Sequence, residues 1–232
     1  MSGLDSLLRA WPLLLDGAAT TLMLTAVAGV LGIAGGAVLA SMRLYGTSWM
    51  RRLATAYIDF FRSMPLILTL FWAFFLLPWA LRAVTGDPNA QVGPVAAALI
   101  AFVLAESAYF GEIIRGGILA VPNGQRQAAL ALGLTPRQAL GSVVLPQAIR
   151  HMLPALVTQT VGLLMDTSLV YVISLNDFLG AASKIAQRDG TLVPVYVFVA
   201  VTYLVVCTVG TSLAQRLRAP VRAGGLPGSS IR

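Results

Sequence analysis

The sequence predicts an all-α membrane protein with about five transmembrane helices in one domain. Hydrophobic residues make up 57% of the 232 residues and charged residues only 11%, whereas a soluble domain carries about 25% charged residues. Five apolar segments approach or exceed the roughly 20 residues that a helix needs to cross a bilayer. Arginines gather in alternate connections between these segments, as expected when successive connections lie on opposite sides of a membrane.

The predicted spans cover residues 18–42, 56–82, 94–115, 153–175 and 192–216. In the first span, Gly32 and Gly36 have the small-xxx-small spacing that lets membrane helices approach closely. Pro65 interrupts the start of the second span, so its beginning is the least defined. Ahead of the first span, residues 4–15 form an amphipathic stretch that is predicted to lie in the membrane interface.

The distribution of basic residues predicts the orientation of the chain. With five spans, 11 arginines fall on one side of the membrane and four basic residues on the other. The first group comprises Arg43, Arg51, Arg52, Arg115, Arg126, Arg137, Arg150, Arg216, Arg218, Arg222 and Arg232. The second comprises Arg9, Arg82, Lys184 and Arg188. Because basic loops stay in the cytoplasm, the N-terminus is predicted to be periplasmic and the C-terminus cytoplasmic.

Composition also excludes several functions. The net charge of +7 does not indicate nucleic-acid binding, because the arginines are scattered through loops rather than clustered on one face. The only histidine is His151 and the only cysteine is Cys207, so neither a metal site nor a cluster of catalytic groups is expected. A membrane enzyme is therefore only a remote alternative. The sequence has no G-x-x-x-x-G-K-[ST] phosphate-binding loop, which indicates that the chain does not hydrolyse ATP by itself.

A polar, arginine-containing segment separates the third and fourth spans. Its residues 125–132 predict a short helix that stops near Gly133. Thr135 and Pro136 fit the N-cap and first position of a second helix, which Pro146 closes or bends. Two such helices would form a stiff, exposed elbow at the cytoplasmic surface, which is typical of a docking surface for a partner protein.

The residues of this segment carry a resemblance to a known family. Gln127, Ala128, Ala129, Gly133, Leu145 and Pro146 have the spacing of the motif E-A-A-x3-G-x9-I-x-L-P. This is the EAA loop of permeases from ATP-binding-cassette (ABC) importers. Two positions depart from the pattern, with Gln127 in place of the usual glutamate and Val143 in place of isoleucine. The exchange at Gln127 removes a charge, so an ion pair made through that glutamate is not expected here.

Further motifs are similar to the polar amino-acid branch of this family, the histidine, glutamine and arginine type. Residues 57–66 read YIDFFRSMPL, residues 108–117 read AYFGEIIRGG and residues 166–169 read DTSL. They resemble the branch patterns Y-I-E-F-F-R-x-x-P-L, A-Y-x-A-E-I-x-R-G-G and K-D-T-S-L. The resemblance covers the chain to about residue 185.

The resemblance implies a type I ABC importer permease fold in the bacterial inner membrane. Residues 1–220 would form the permease domain, residues 116–152 its cytoplasmic coupling loop, and residues 221–232 a cytoplasmic tail. The implied partners are a dimer of ATPase subunits that binds ATP and magnesium, a second identical or homologous permease subunit, a periplasmic substrate-binding protein and membrane lipid. The implied substrate is a polar amino acid. An opine, an ectoine-like osmolyte or cystine remains an alternative, since importers for these share the same loop.

Ionisable residues inside predicted spans are candidates for the substrate pathway, because a charged group at the centre of a span is costly. Glu106 and Tyr109 lie one turn apart in the third span. If both line the pathway, they favour a cationic or zwitterionic substrate. In the fourth span, Asp166, Thr167 and Ser168 are predicted either to hold the ammonium group of an amino acid or to cap a break in the helix.

Two further pairs have helical spacing near the cytoplasmic ends of their spans. Asp59 and Arg62 are three residues apart, and so are Glu112 and Arg115. Pairs at this spacing are neighbours on a helix surface. They are interpreted as structural or gating ion pairs, with substrate contact as the alternative for Glu112.

Overall fold

The structure is a computed structural model that describes residues 7–216. Its helices are α1 (Trp11–Tyr45), α2 (Ser48–Ser63), α3 (Leu66–Thr85), α4 (Pro94–Leu119), α5 (Asn123–Ala131), α6 (Pro136–Ile173), α7 (Phe178–Asp189) and α8 (Leu192–Arg216). No strand occurs between residues 7 and 216. Helices α1, α3, α4, α6 and α8 are long and apolar enough to cross a membrane. The prediction of an all-α protein with five spans is therefore confirmed, while the predicted tail 221–232 lies outside the described residues.

Helix α4 forms the centre of the bundle. In the membrane-crossing stretch of α4, 56% of the residues are buried, compared with 11% in the corresponding stretch of α8. Its main neighbours are α1 and α6. Phe102 of α4, Leu24 of α1 and Leu163 of α6 are completely buried in the same apolar cluster. The exposed sides of α3 and α8 are left for lipid or for another subunit.

Glycines bring α1 unusually close to α4. A Cβ added at Gly36 would lie 2.7 Å from the backbone nitrogen of Gly111, and one at Gly32 would lie 2.9 Å from the Cβ of Glu106. These are the two glycines whose spacing predicts close packing. The backbones of α1 and α4 approach to a distance that only glycine allows at these positions.

Two π-helical turns each precede a proline. The turn Trp72–Leu76 lies ahead of Pro78, and the turn Leu140–Val144 lies ahead of Pro146. Proline has no N–H to donate, and its ring clashes with the carbonyl four residues earlier. The wider π turn, with bonds from residue i to i+5, absorbs this mismatch. Both helices therefore continue through their prolines.

The structure corrects the limits of three predicted spans. The helix of the first span begins at Trp11 rather than residue 18, so residues 11–15 of the predicted interfacial stretch are continuous with the span, and residues 7–9 form a separate helical turn ahead of it. The second span begins at Leu66 rather than residue 56, because the chain breaks at Met64 and Pro65 and α2 is a separate amphipathic helix. The fourth apolar stretch belongs to a helix that begins at Pro136 rather than residue 153.

A buried aspartate starts α7. Asp177 is fully buried, and its carboxylate accepts hydrogen bonds from the backbone N–H groups of Gly180 (2.8 Å) and Leu179 (3.2 Å). The next backbone N–H, that of Phe178, donates to Thr21 Oγ1 of α1 at 3.1 Å. Burial raises the pKa of Asp177 from 3.8 to about 6, although the backbone donors oppose the shift. Asp177 thus caps α7 and helps to hold it against α1.

We expect Asp177→Asn to be more stable than the wild-type protein at neutral pH. The folded protein binds the Asp177 proton more tightly than the unfolded chain, so its free energy of unfolding falls as the pH rises from 3.8 through about 6. Asparagine keeps the capping oxygen and does not titrate. Asp177→Ala removes the cap and should cost about 1–2 kcal/mol below this pH range, and less above it, because there the wild-type protein has lost the stability that the protonated aspartate provides. Thermal unfolding in detergent below and above this pH range measures both effects, and an Asn variant less stable than wild type at neutral pH would contradict the prediction.

Candidate functional site

The coupling segment, residues 116–152, joins the end of α4 to the start of α6. Helix α5 is followed by Gly133, whose φ of 87° lies in the left-handed region. Thr135 then caps α6 in a capping box, because its hydroxyl accepts from the N–H of Gln138 and the Gln138 side chain accepts from the N–H of Thr135. Each of these features favours a defined turn between α5 and α6.

Buried contacts hold α5 against the first turns of α6. Ala129 is 4% exposed, and Val121, Val144 and Ala148 form a small buried apolar cluster in the coupling segment. The amide of Gln147 donates to the carbonyl of Val143 at 2.9 Å and lies 3.5 Å from the side-chain oxygen of Gln125. The first of these bonds lies within α6 and the second joins it to α5, so α5 is held against α6 by packing and by one polar contact.

Some residues of the EAA motif are buried and others are exposed. Ala129 faces inward, whereas Gln127 and Ala128 are exposed. The Gln127 side chain forms no hydrogen bond with any residue in the described part of the chain. Leu145 is half-buried and Pro146 is exposed. The face of α5 that carries Gln127 and Ala128 is therefore exposed and uncharged, and a partner surface can approach it.

The expected second short helix of the elbow is not a separate element. Pro146 does not end it, because the π turn Leu140–Val144 carries the helix into Leu145–Asp166. The segment therefore consists of one short helix, a left-handed turn and the first turns of a long helix. Any displacement of these first turns is applied directly to α6.

Glu106 lies inside the bundle. It is 1% exposed, and the side-chain amide of Gln159 in α6 donates to both of its carboxylate oxygens at 3.2 Å. Gly32 of α1 packs against its Cβ. The carboxylate thus links α4 to α6, and within this subunit it is not part of an open passage.

Asp166, Thr167 and Ser168 lie where α6 changes from an α-helix to the 3₁₀ turn Thr167–Ile173. Thr167 is fully buried and its hydroxyl donates to the carbonyl of Leu164 at 2.7 Å. Asp166 is half-buried, and its carboxylate makes no hydrogen bond or ion pair with residues 7–216. It lies close enough to Glu106 for the two carboxylates to interact electrostatically. Asp166 is the carboxylate in this region that is left available for a ligand.

Asp59 and Arg62 do not form the expected ion pair. Instead, the Arg62 guanidinium lies over the ring of Tyr109, 5.7 Å from its centroid, within the range of a cation–π contact. Asp59 is exposed and pairs with nothing in the described part of the chain. The contact joins α2 to α4, and Tyr109 therefore lies beside a cation.

Glu112 pairs with Arg115 as its spacing predicts, with Arg115 Nε 2.9 Å from Glu112 Oε2. It also pairs with Arg43 at the end of α1. All three side chains are partly exposed, at 17–30%, so each pair adds little to stability. One carboxylate between two arginines instead ties the ends of α1 and α4 together beside the coupling segment.

Sequence reasoning missed two partners, Arg43 and Gln159. Each reaches its carboxylate from another helix, 69 residues away for Arg43 and 53 for Gln159. Gln159 could have been noticed as an amide within an apolar span, where a polar side chain needs a partner. For Arg43, the pattern of basic residues indicates only the side of the membrane and not the partner.

The comparisons with known proteins agree with this architecture. Residues 32–223 match the family described as binding-protein-dependent transport system inner membrane component. The chain belongs to this family. It is 42% identical over 215 residues to the glutamate/aspartate import permease protein GltK of Escherichia coli O157:H7, covering 92% of this chain and 96% of the relative. It is also 32% identical to the glutamine transport system permease protein GlnP of Escherichia coli strain K12, covering 90% and 92% of the two chains.

Solved structures extend the match to the fold of this permease. A crystal structure of an amino acid ABC transporter with histidines superposes with a TM-score of 0.83 at 29% identity, covering 94% of this chain and 98% of that one. A chain of the inward-facing methionine ABC transporter MetNI superposes with a TM-score of 0.71 at 21% identity, covering 94% and 98%. The predicted fold of a type I ABC importer permease is confirmed.

Proposed function

We propose that this permease is the membrane subunit through which an ABC importer moves polar amino acids into the bacterial cytoplasm. The coupling segment carries the proposal, because it combines the EAA spacing with a short anchored helix whose outer side is exposed. A separate dimer of ATPase subunits would bind there and supply ATP hydrolysis with magnesium. A periplasmic binding protein would deliver the substrate, and a second permease subunit would complete the pathway.

The proposed orientation places the N-terminus in the periplasm and the coupling segment and C-terminus in the cytoplasm. The excess of arginines on the side of the coupling segment supports it. Residues 1–220 then form the permease domain and residues 221–232 a cytoplasmic tail. Accessibility reporters at Pro88 and at Gln127 test the orientation, since they should report opposite sides of the membrane.

Helix α6 offers a direct mechanical connection from the ATPase to the pathway. It runs without interruption from Pro136, next to the coupling segment, to Ile173. At about 1.5 Å per residue, its 38 residues exceed the thickness of the hydrocarbon core, about 30 Å. Movement of the coupling segment during ATP binding would therefore be transmitted as a tilt or shift of α6, displacing Asp166 near its far end. This is the proposed basis of alternating access.

Asp166 is the proposed contact for the ammonium group of the substrate, with Thr167 and Ser168 shaping the helix around it. Glu106 is enclosed by Gln159 and Gly32, so it gives no reason to favour cationic substrates. The ammonium group is common to all amino acids, and a carboxylate that binds it is compatible with acidic substrates too. Because the relative at 42% identity is a glutamate/aspartate permease, glutamate and aspartate are the first substrates to test.

Cystine remains a second candidate substrate. A relative 32% identical over 186 residues is the L-cystine transport system permease protein TcyL of Bacillus subtilis strain 168. Binding of glutamate, aspartate, glutamine and cystine to the partner periplasmic protein, measured in parallel by calorimetry, separates the candidates.

We expect Asp166→Asn to lower substrate transport in proteoliposomes about 10- to 100-fold, the loss of one charge-assisted contact. Asparagine nearly preserves the size of the side chain, so insertion and assembly should persist. The matched control is Asp16→Asn, which neutralises an exposed carboxylate in α1. Equal transport by both variants would contradict the proposed role of Asp166.

A further inference from the structure

A cavity lies behind the coupling segment, between α5 and the ends of the membrane helices. Its volume is about 470 Å³, and residues from the ends of α1 and α4, from α5 and from the first turns of α6 line it. This volume is within the range of about 300–1,000 Å³ that is usual for ligand sites. The proposed importer function assigns nothing to it.

The charged residues that line this cavity are both basic. Arg126 projects from α5 and Arg137 from the start of α6. Neither guanidinium makes a hydrogen bond or ion pair with residues 7–216, whereas Arg43 and Arg115 at the same end of the bundle are both paired with Glu112. Two unpaired cations at one opening favour an anionic ligand.

The rest of the lining is mainly apolar. Aliphatic side chains extend from the arginines toward the ends of the spans, among them Leu44, Leu119, Leu140 and Val144. Tyr45 lies at the end of α1, the position where an amphipathic ring prefers the boundary between membrane and water. A ligand that fits has a phosphate or other anionic group at one end and hydrocarbon at the other.

We propose that this cavity binds an anionic phospholipid of the inner leaflet, with Arg126 and Arg137 on its headgroup phosphate and the aliphatic side chains on its upper acyl chain. Basic pockets at the cytoplasmic ends of membrane helices are suited to such headgroups. The proposal rests on the cytoplasmic placement of the coupling segment. Bound there, the lipid would brace α5 against the spans.

Two other occupants fit less well. The chain's own residues 217–232 contain Arg218, Arg222 and Arg232 and no acidic residue, so their charge repels the two arginines of the cavity. The ATPase would approach the exposed side of α5 that carries Ala128 and Ala131. Asn123 and Arg126, three residues apart, line the cavity on a different side of that helix.

Native mass spectrometry of the purified permease–ATPase complex tests the proposal, with phosphatidylglycerol and phosphatidylcholine as probes. We expect phosphatidylglycerol to bind preferentially and the double variant Arg126→Gln/Arg137→Gln to bind it about 30-fold more weakly. The double variant Arg126→Lys/Arg137→Lys keeps both positive charges and should retain binding. Weaker binding by the Gln variant then reflects the loss of charge rather than misfolding. Arg51→Gln/Arg52→Gln, which removes two exposed arginines of α2, is the matched control and should bind like wild type.

Three results would overturn the proposal. The Gln variant could bind phosphatidylglycerol as wild type does, or glycerol phosphate could displace the lipid and show that the site takes soluble phosphates. The Gln variant could also lose the ATPase while keeping the lipid, which would assign both arginines to subunit docking. The importer function is tested separately, by substrate transport and ATP hydrolysis of the wild-type complex, so its failure is distinguishable from failure of the lipid proposal.

Discussion

Replacing Gly133 with valine is expected to abolish substrate-stimulated ATP hydrolysis by the assembled importer. Gly133 has a φ of 87°, a conformation that is strongly disfavoured for a β-branched residue and costs about 1–3 kcal/mol. The turn would relax to negative φ and change the angle between α5 and α6. Hydrolysis measured in proteoliposomes, with and without loaded binding protein, reports the loss of coupling.

The matched control for this change is Gly116→Ala near the end of α4. A Cβ there meets no atom within 4 Å, and its φ is not in the left-handed region. This variant should couple as the wild type does and gain slightly in stability. Normal coupling in Gly133→Val would show that the left-handed turn is not needed.

Gly36→Ala is expected to be strongly destabilising, because its added methyl group meets the backbone of α4. The added Cβ would lie 2.7 Å from the backbone nitrogen of Gly111 and 2.9 Å from the Cβ of Phe110. Because backbone cannot rotate away as a side chain can, α1 and α4 must separate, at a cost near the upper end of the 1–3 kcal/mol typical of overpacking, about 3 kcal/mol. The midpoint of thermal unfolding in detergent measures this loss.

Gly29→Ala on the same helix is the control for that change. Its Cβ would meet only Leu163 Cδ2, at 3.8 Å, an ordinary contact. The two variants add the same methyl group to α1, so they differ only in what it meets. Equal midpoints for Gly29→Ala and Gly36→Ala would show that α1 and α4 do not depend on this close approach.

Hydropathy predicts the spans well where apolar sequence and helix end together. Predicted residues 94–115 and 192–216 correspond to Pro94–Leu119 and Leu192–Arg216. Hydropathy gives wrong limits where a helix and its apolar sequence end at different residues. The aromatic face of α2, with Phe60 and Phe61, made that helix resemble the start of the second span. The polar first turns of α6, with Arg137 and Gln138, concealed a helix that is continuous with the fourth span. Hydropathy reports contact with lipid rather than continuity of the backbone.

In the candidate site, the sequence predicts the local features but not the contacts between distant helices. Local signals predicted the turn at Gly133 and the cap at Thr135, since both depend on residues within one or two turns. The ties of Glu106 to Gln159 and of Glu112 to Arg43 depend on how distant helices pack, which spacing along one helix cannot show. Asp59 failed to pair with Arg62 for this reason also, because Tyr109 of α4 competes for the guanidinium.

The most direct test of the proposed function is ATP hydrolysis by the permease reconstituted with its ATPase, its sister permease and its periplasmic binding protein. We expect hydrolysis to rise when the binding protein is loaded with a polar amino acid, and labelled amino acid to accumulate inside the vesicles in parallel. Empty binding protein should give a smaller response. Hydrolysis that is indifferent to loaded binding protein, with no accumulation of amino acid, would contradict the importer function.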